Sequence, residues 1–171
     1  EKIGMTPANA GHEAVFVTTP TSAASPIMPT VNTVSATFGQ FGKLDPEQNE
    51  KNVPMVRIRL KTDRNSAIVE KITIDHAVAA GGLDTDATLV KIWGDVNGNA
   101  TFDVEDSSAG VNGDYPGLLS YGNESFSTGT VIIILKKPIV VSTAATNIFV
   151  TLDVSEFALE NSRQGISVAG V

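Results

Sequence analysis

From Val53 onward the chain alternates apolar and polar residues with a period of two. Val56, Ile58 and Leu60 alternate with Arg57, Arg59 and Lys61, which predicts a half-buried strand with a basic outer face. The polar run Asp63, Arg64, Asn65, Ser66 reads as a turn. A second strand is expected over 68–74, with Ile72 and Ile74 inward and Lys71 and Thr73 outward, and a Gly-Gly break at 81–82. Further strands are expected over 89–93, 118–121, 130–135, 139–141, 148–154 and 165–171. In the segment 148–154, Ile148, Val150, Leu152 and Val154 share one face. Residues 155–160 suit one helical turn. Eight or nine short strands separated by turn signals predict an all-β fold, an antiparallel β-sandwich of immunoglobulin-like or Greek-key type with an inserted loop.

The beginning of the chain differs. Residues 14–18 suit a short strand, but 18–30 hold three Pro among small hydroxyl residues, a composition that favours extended, polyproline-like backbone. The expected organisation is an extended arm or linker over 1–37 and a β-sandwich domain over 38–171. The chain opens on Glu1 without an initiator Met and closes within an apolar stretch. The expectation is a piece of a longer precursor in which another domain follows.

Composition supports the class. Val, Ile and Thr total 49 residues against nine Leu, and β-branched side chains suit a pleated surface better than a helix. At 171 residues the chain can own a core without disulfides or metals. The longest apolar run is five residues, 131–135, far short of a membrane-spanning helix. A net charge of −7 argues against nucleic acid or an anionic membrane as partner. With no Cys and two His, thiol chemistry and Cys-based zinc or iron–sulfur sites are excluded.

The charge is concentrated. Asp84, Asp86, Asp95, Asp103, Glu105, Asp106 and Asp114 face one base, Lys91, within 31 residues. Carboxylates this dense repel, and the segment calls for a cation. The twelve residues 95–106 specify which one. Oxygen-bearing side chains fall at loop positions 1, 3, 5, 9 and 12 as Asp95, Asn97, Asn99, Asp103 and Asp106, and Thr101 at position 7 can offer its backbone carbonyl. That is the ligand schedule of an EF-hand-type Ca²⁺ loop, suited to a hard cation that takes six to eight oxygens. Two positions depart from the pattern: Ala100 stands at position 6, where Gly is the rule, and the shorter Asp106 replaces Glu at position 12.

Those departures make the loop resemble a dockerin repeat, which shares Asp-x-Asn-Gly at its start and Asp at its end. A dockerin loop leads into a helix; here a strand runs into Asp95, and 104–108 can supply a single turn. Strand, Asp-x-Asn-Gly-Asn, Phe-Asp and a final Asp together resemble calcium loops set in immunoglobulin-like sandwich modules of large secreted bacterial and archaeal surface proteins. The likeness covers about 14 residues of the chain. It implies an extracellular, cell-surface location and a structural calcium site with a dissociation constant of roughly 0.1–1 mM. The implied role is a non-enzymatic module or subunit of a filament, surface layer or adhesin, with copies of itself or adjacent modules of the same precursor as partners. The alternative is a non-catalytic carbohydrate- or protein-binding module of a secreted polysaccharide-degrading enzyme.

Other residues carry weaker signals. His76 with Asp75 and either Ser66 or Ser35 would be needed for a triad, but no Gly-x-Ser-x-Gly elbow is present. His12 falls in an expected loop. Asp84, Asp86 and Asp114 read as turn residues, the alternatives being an outer partner of the loop or an extra ligand. Trp93 and Tyr121 are the candidates for a sugar-binding platform, though the apolar neighbours of Trp93 favour the core. Sequons stand at Asn99 and Asn123, the first inside the calcium loop.

Overall fold

The computed structural model describes residues 3–5, 14–16, 32–41, 46–77, 82–160 and 162–171. The chain divides into two units, Glu1–Val31 and Asn32–Val171. In the first, strands β1 (Ile3–Met5) and β2 (Ala14–Phe16) pair antiparallel. The Pro-rich stretch 18–30 and His12 lie outside the described residues.

The second unit is a two-sheet antiparallel sandwich. One sheet has the order β3 (Val34–Gln40), β4 (Val53–Thr62), β8 (Thr146–Val154), β6 (Ala87–Gly94). The other has the order β7 (Thr130–Val141), β5 (Ala67–His76), β9 (Ile166–Gly170). Within these seven strands an immunoglobulin constant domain would set the fifth strand beside the second and the sixth beside the third. Here the sixth, β8, pairs with β4, and the fifth, β7, pairs with β5. The layering is that of a sandwich with its own connectivity.

The alternation expected in β4 is present: Val56, Ile58 and Leu60 are buried while Arg59 and Lys61 are exposed. They meet Ile72 and Ile74 of β5, Val90 and Ile92 of β6, Val131, Ile133 and Leu135 of β7, and Ile148, Val150 and Leu152 of β8 in one core. Each such side chain fully buried contributes roughly 1.5–3 kcal/mol.

Four expectations shift. The boundary at 37 falls inside β3, whose Val34 and Ala36 face Thr62 and Leu60 of β4, so residues 34–37 belong to the sheet. Segments 130–135 and 139–141 are one strand: between the pairs Val69–Ile139 and Lys71–Ile134 the stretch Lys136-Lys137-Pro138 bulges out of register, which accommodates a residue that cannot donate. Segment 118–121 forms only a bridge from Leu118 to Trp93, yet Leu119 N donates to Ile92 O at 2.8 Å and Leu119 O accepts from Lys136 N at 2.9 Å. It thus ties β6 to β7 and covers both strand edges there. Residues 155–160 make turns rather than a helix, held by Ala158 N to Ser155 O at 3.3 Å.

Strand β8 is buried at both faces for most of its length. One face meets the opposite sheet. The other holds Phe149 with Trp93, Leu118 and Phe102 in a second apolar cluster. Phe102 belongs to the 95–106 loop, which therefore roofs the outer face of the four-stranded sheet. A strand covered on both sides reads as continuous burial rather than alternation.

Candidate metal centre

Strand β6 ends at Gly94 and delivers Asp95 to the start of the loop. Three Asx contacts then coil the backbone. Ala100 N donates to Asp95 Oδ2 at 3.0 Å, Asn99 N to Asn97 Oδ1 at 3.1 Å, and Thr101 N to Asn99 Oδ1 at 2.7 Å. The last two are Asx turns, in which a short polar side chain bonds the backbone two residues on, and the first spans five residues. Gly98 at φ 74° and Ala100 at φ 61° are left-handed. Position 6 thus makes the backbone turn that Gly ordinarily supplies, with an Ala in place.

The loop is pinned from outside. Asn147 Nδ2 on β8 donates to Asp95 Oδ2 at 3.0 Å, and Arg57 Nη1 on β4 donates to Ala100 O at 2.9 Å. Phe102 lies 5.9 Å from Trp93 and 5.6 Å from Phe149 between ring centroids. Its ring anchors the middle of the loop to the sheet.

The second half closes on a short helix, α1 (Val104–Ser107), with Asp103 as its N-cap. Asp103 Oδ1 accepts from Glu105 N at 2.9 Å, and Asp106 Oδ2 accepts from Asp103 N at 3.2 Å, a reciprocal capping arrangement. Asp106 Oδ1 reaches back to accept from Val96 N at 2.7 Å, joining the two ends of the loop. Gly117 packs so close to the Asp106 carbonyl that a side chain there would collide with it.

The electrostatics are uneven. Amides of Asn99 and Asn97 donate to Asp103 Oδ2 at 2.7 and 3.0 Å, and they hold its pKa below the ordinary carboxylate range. Asp106 is fully buried, and burial pushes its pKa up, with the charges of Asp103 and Asp95 adding to the effect. Asp95 Oδ1 is buried and accepts no hydrogen bond. An unpaired buried carboxylate oxygen is costly. A cation at this loop would answer both defects: it would satisfy Asp95 Oδ1 and offset the buried charge of Asp106.

The six residues singled out from spacing therefore form one loop: Asp95, Asn97, Asn99, Thr101, Asp103 and Asp106. Asp95 and Asp106 are turned inward, whereas Asn97, Asn99 and Asp103 bond one another near the surface and the Thr101 side chain is exposed. Among the described residues, no three His, Cys, Asp or Glu side chains converge on one point. A site here needs amide and backbone oxygens as well as carboxylates, a donor set that suits calcium and not a transition metal. Arg57 and Asn147, which hold the loop from 43 and 52 residues away, carry no local sequence signal.

The remaining candidates lie elsewhere. His76 is buried, its Nδ1 is 2.7 Å from Asp84 Oδ1, and its ring stacks on Phe126. Among the described residues its Nε2 has no hydrogen-bond partner and its Nδ1 is taken by Asp84, so neither Ser35 nor Ser66 is joined to His76. The 84–86 segment is a single 3₁₀ turn. Asp86 is buried; its burial works against ionisation, but the Ser162 hydroxyl and the Leu83 and Leu159 amides bring its pKa down. Asp114 is exposed and closes a turn through its carbonyl with Gly110 N. Trp93 is buried with Nε1 donating to Thr151 Oγ1 at 2.9 Å, while Tyr121 is exposed. The two rings do not form a surface platform.

No helix among the described residues is long and apolar enough to cross a membrane. No protein-family model matches the sequence, and neither the curated proteins nor the solved structures contain a match to it.

Proposed function

We propose that the chain is a structural module or subunit of an extracellular surface assembly, stabilised by a calcium ion in the 95–106 loop. The observation that carries this reading is the buried, unpaired Asp95 Oδ1 in a loop that roofs Trp93 and Phe149. Asp95, Asn97, Asn99, Asp103 and Asp106 would hold the ion with the Thr101 carbonyl. The ion supplies positive charge and a fixed centre to a loop that otherwise concentrates negative charge. The role is mechanical: fixing the loop fixes the roof over the outer face of the sheet. An ion bound only by the folded chain, at ten times its dissociation constant, adds about 1.4 kcal/mol.

Assembly is supported by the opposite side of the sandwich. Ile68, Ile132, Ile134 and Val140 stand exposed on β5 and β7, and β7 is an edge strand of its sheet. Ile68 pairs directly with Val140. An exposed apolar row that reaches an edge strand, away from the stretch at Lys136 that Leu119 covers, invites a further strand. The partner in this reading is another copy of the chain, or the adjacent module of the same precursor, reaching the row through the 1–31 segment.

Calorimetric titration with calcium tests the first half: one ion per chain is expected, lost in Asp95→Ala. A folded wild-type protein that takes up no calcium at millimolar concentration contradicts it. Deleting residues 1–30 tests the second half. Loss of polymers is expected, and polymers that persist overturn the docking role of the arm.

A further inference from the structure

The outer face of the four-stranded sheet carries a second buried polar group, made by residues outside the calcium loop. Lys91 on β6 and Asp153 on β8 form an ion pair whose side chains are 14% and 5% exposed. Lys91 Nζ lies 2.8 Å from both Asp153 oxygens and 2.9 Å from Asn52 Oδ1. Asn52 immediately precedes β4 and is left-handed, at φ 55°. Its backbone N donates to Asp153 Oδ1 at 2.9 Å, which fixes the residue against the carboxylate. Strand β8 runs between β4 and β6. A carboxylate on the central strand therefore sits between an amine from one neighbour and a carboxamide from the other.

Those are the parts required for amide exchange: a nucleophilic amine, an acyl group within contact of it, and a proton carrier touching the amine. Two strand positions and the residue that leads into β4 hold them, largely shielded from water, so the amine already touches the carboxamide oxygen, one bond from the carbon it would attack. We propose that Lys91 Nζ and Asn52 Cγ become joined by an intramolecular amide bond, with Asp153 relaying the protons. The Nζ–Cγ bond forms and the Cγ–Nδ2 bond breaks. Nζ sheds two protons, the departing Nδ2 collects both and leaves as ammonium, and Asp153 ends as it began. Nothing is oxidised or reduced, and no co-reactant is needed. The product ties β4 to β6 across β8 and closes a loop between positions 39 residues apart. Such a bond cannot open by local unfolding, which suits a module under tension.

Intact-mass spectrometry of the folded wild-type protein tests this. The expected mass is one ammonia below that of the sequence, and a protease digest should contain a branched peptide joining Asn52 to Lys91. Lys91→Arg and Asp153→Asn should each restore the full mass. Full mass in a wild-type sample shown by circular dichroism to be folded overturns the proposal and leaves the group as an ion pair. An ammonia deficit that persists in Lys91→Arg overturns it too, because it places the loss at a backbone succinimide. Loss of water in place of ammonia overturns the assignment of Asn52 as acyl donor.

Discussion

Arg57 donates from Nη1 to the carbonyl oxygen of Ala100 at 2.9 Å, joining the middle of β4 to the turning point of the 95–106 loop. The guanidinium also lies 5.3 Å from the centre of the Phe41 ring, so its position is set from two sides. Arg57→Gln should lower stability by about 1.5–3 kcal/mol, the range for a hydrogen bond from a charged donor. It should also weaken calcium binding several-fold, because the loop then closes without its outer anchor. Urea unfolding with and without calcium measures both effects. Equal affinity in the variant would show that the anchor does not shape the loop.

Ala100 holds a left-handed backbone at φ 61°. An L side chain there is strained by about 1–2 kcal/mol, while Gly is freer in the unfolded chain by roughly 0.5–1 kcal/mol. The balance predicts that Ala100→Gly stabilises the protein by about 0.5–1 kcal/mol, read as a rise in midpoint on thermal unfolding. A lowered midpoint would mean that the methyl group packs to advantage.

The pH dependence has two opposed windows. The folded-state pKa of Asp106 is raised, first by burial and then by Asp103 and Asp95. The folded chain therefore holds the proton more tightly than the unfolded chain, and the resulting penalty is absent below the ordinary value of about 3.9 and complete above the raised one. In chelator, stability should fall as pH rises through that window. Asp103, Asp84 and Asp86 have lowered values, so their contribution is present above about 3.9 and lost as pH falls through their folded values. A calcium ion held as proposed would need Asp106 ionised, so the stabilisation it confers should shrink as pH falls through the upper window. Thermal midpoints from pH 3 to 8, with calcium and with chelator, give both curves. A calcium effect that stays constant down to pH 4 would exclude Asp106 as a ligand.

Trp93 is the single Trp of the chain. It lies 5.9 Å from Phe102 and 6.0 Å from Tyr115, both on the segment that covers it. Its emission should move to longer wavelength when calcium is removed and the roof loosens. Phe102→Ala should abolish that response and cost about 2 kcal/mol, below the 3–5 expected for a fully buried Phe. An unchanged spectrum on chelation would show that the roof stays in place without the ion.

The strands that bury an alternating face were legible from residue order. Val56, Ile58 and Leu60 mark β4, Ile72 and Ile74 mark β5, and Ile148, Val150 and Leu152 mark β8. Strand β3 was not, because Val34 and Ala36 are its few core-facing groups and both remain half-exposed. Lys136-Lys137-Pro138 reads as a break, yet the pairing resumes beyond it, since a bulge absorbs residues that cannot join the ladder. The loop and its six oxygen-bearing residues follow from spacing alone because consecutive Asx turns are local chemistry. Their supports do not: the outward Arg57, the Asn147 amide and the Lys91–Asp153–Asn52 group are brought together by strand pairing, and no short-range pattern marks them.

The central claim is that calcium completes the 95–106 loop. Its most direct test is thermal unfolding of the wild-type chain in millimolar calcium and in chelator, beside Asp95→Ala under the same conditions. The account predicts a midpoint higher by about 3–6 °C in calcium, which is what about 1.4 kcal/mol gives for a chain of this size. It also predicts no such shift in Asp95→Ala. Coincident wild-type curves in calcium and chelator would contradict it, and the loop would then stand as a set of Asx turns without an ion.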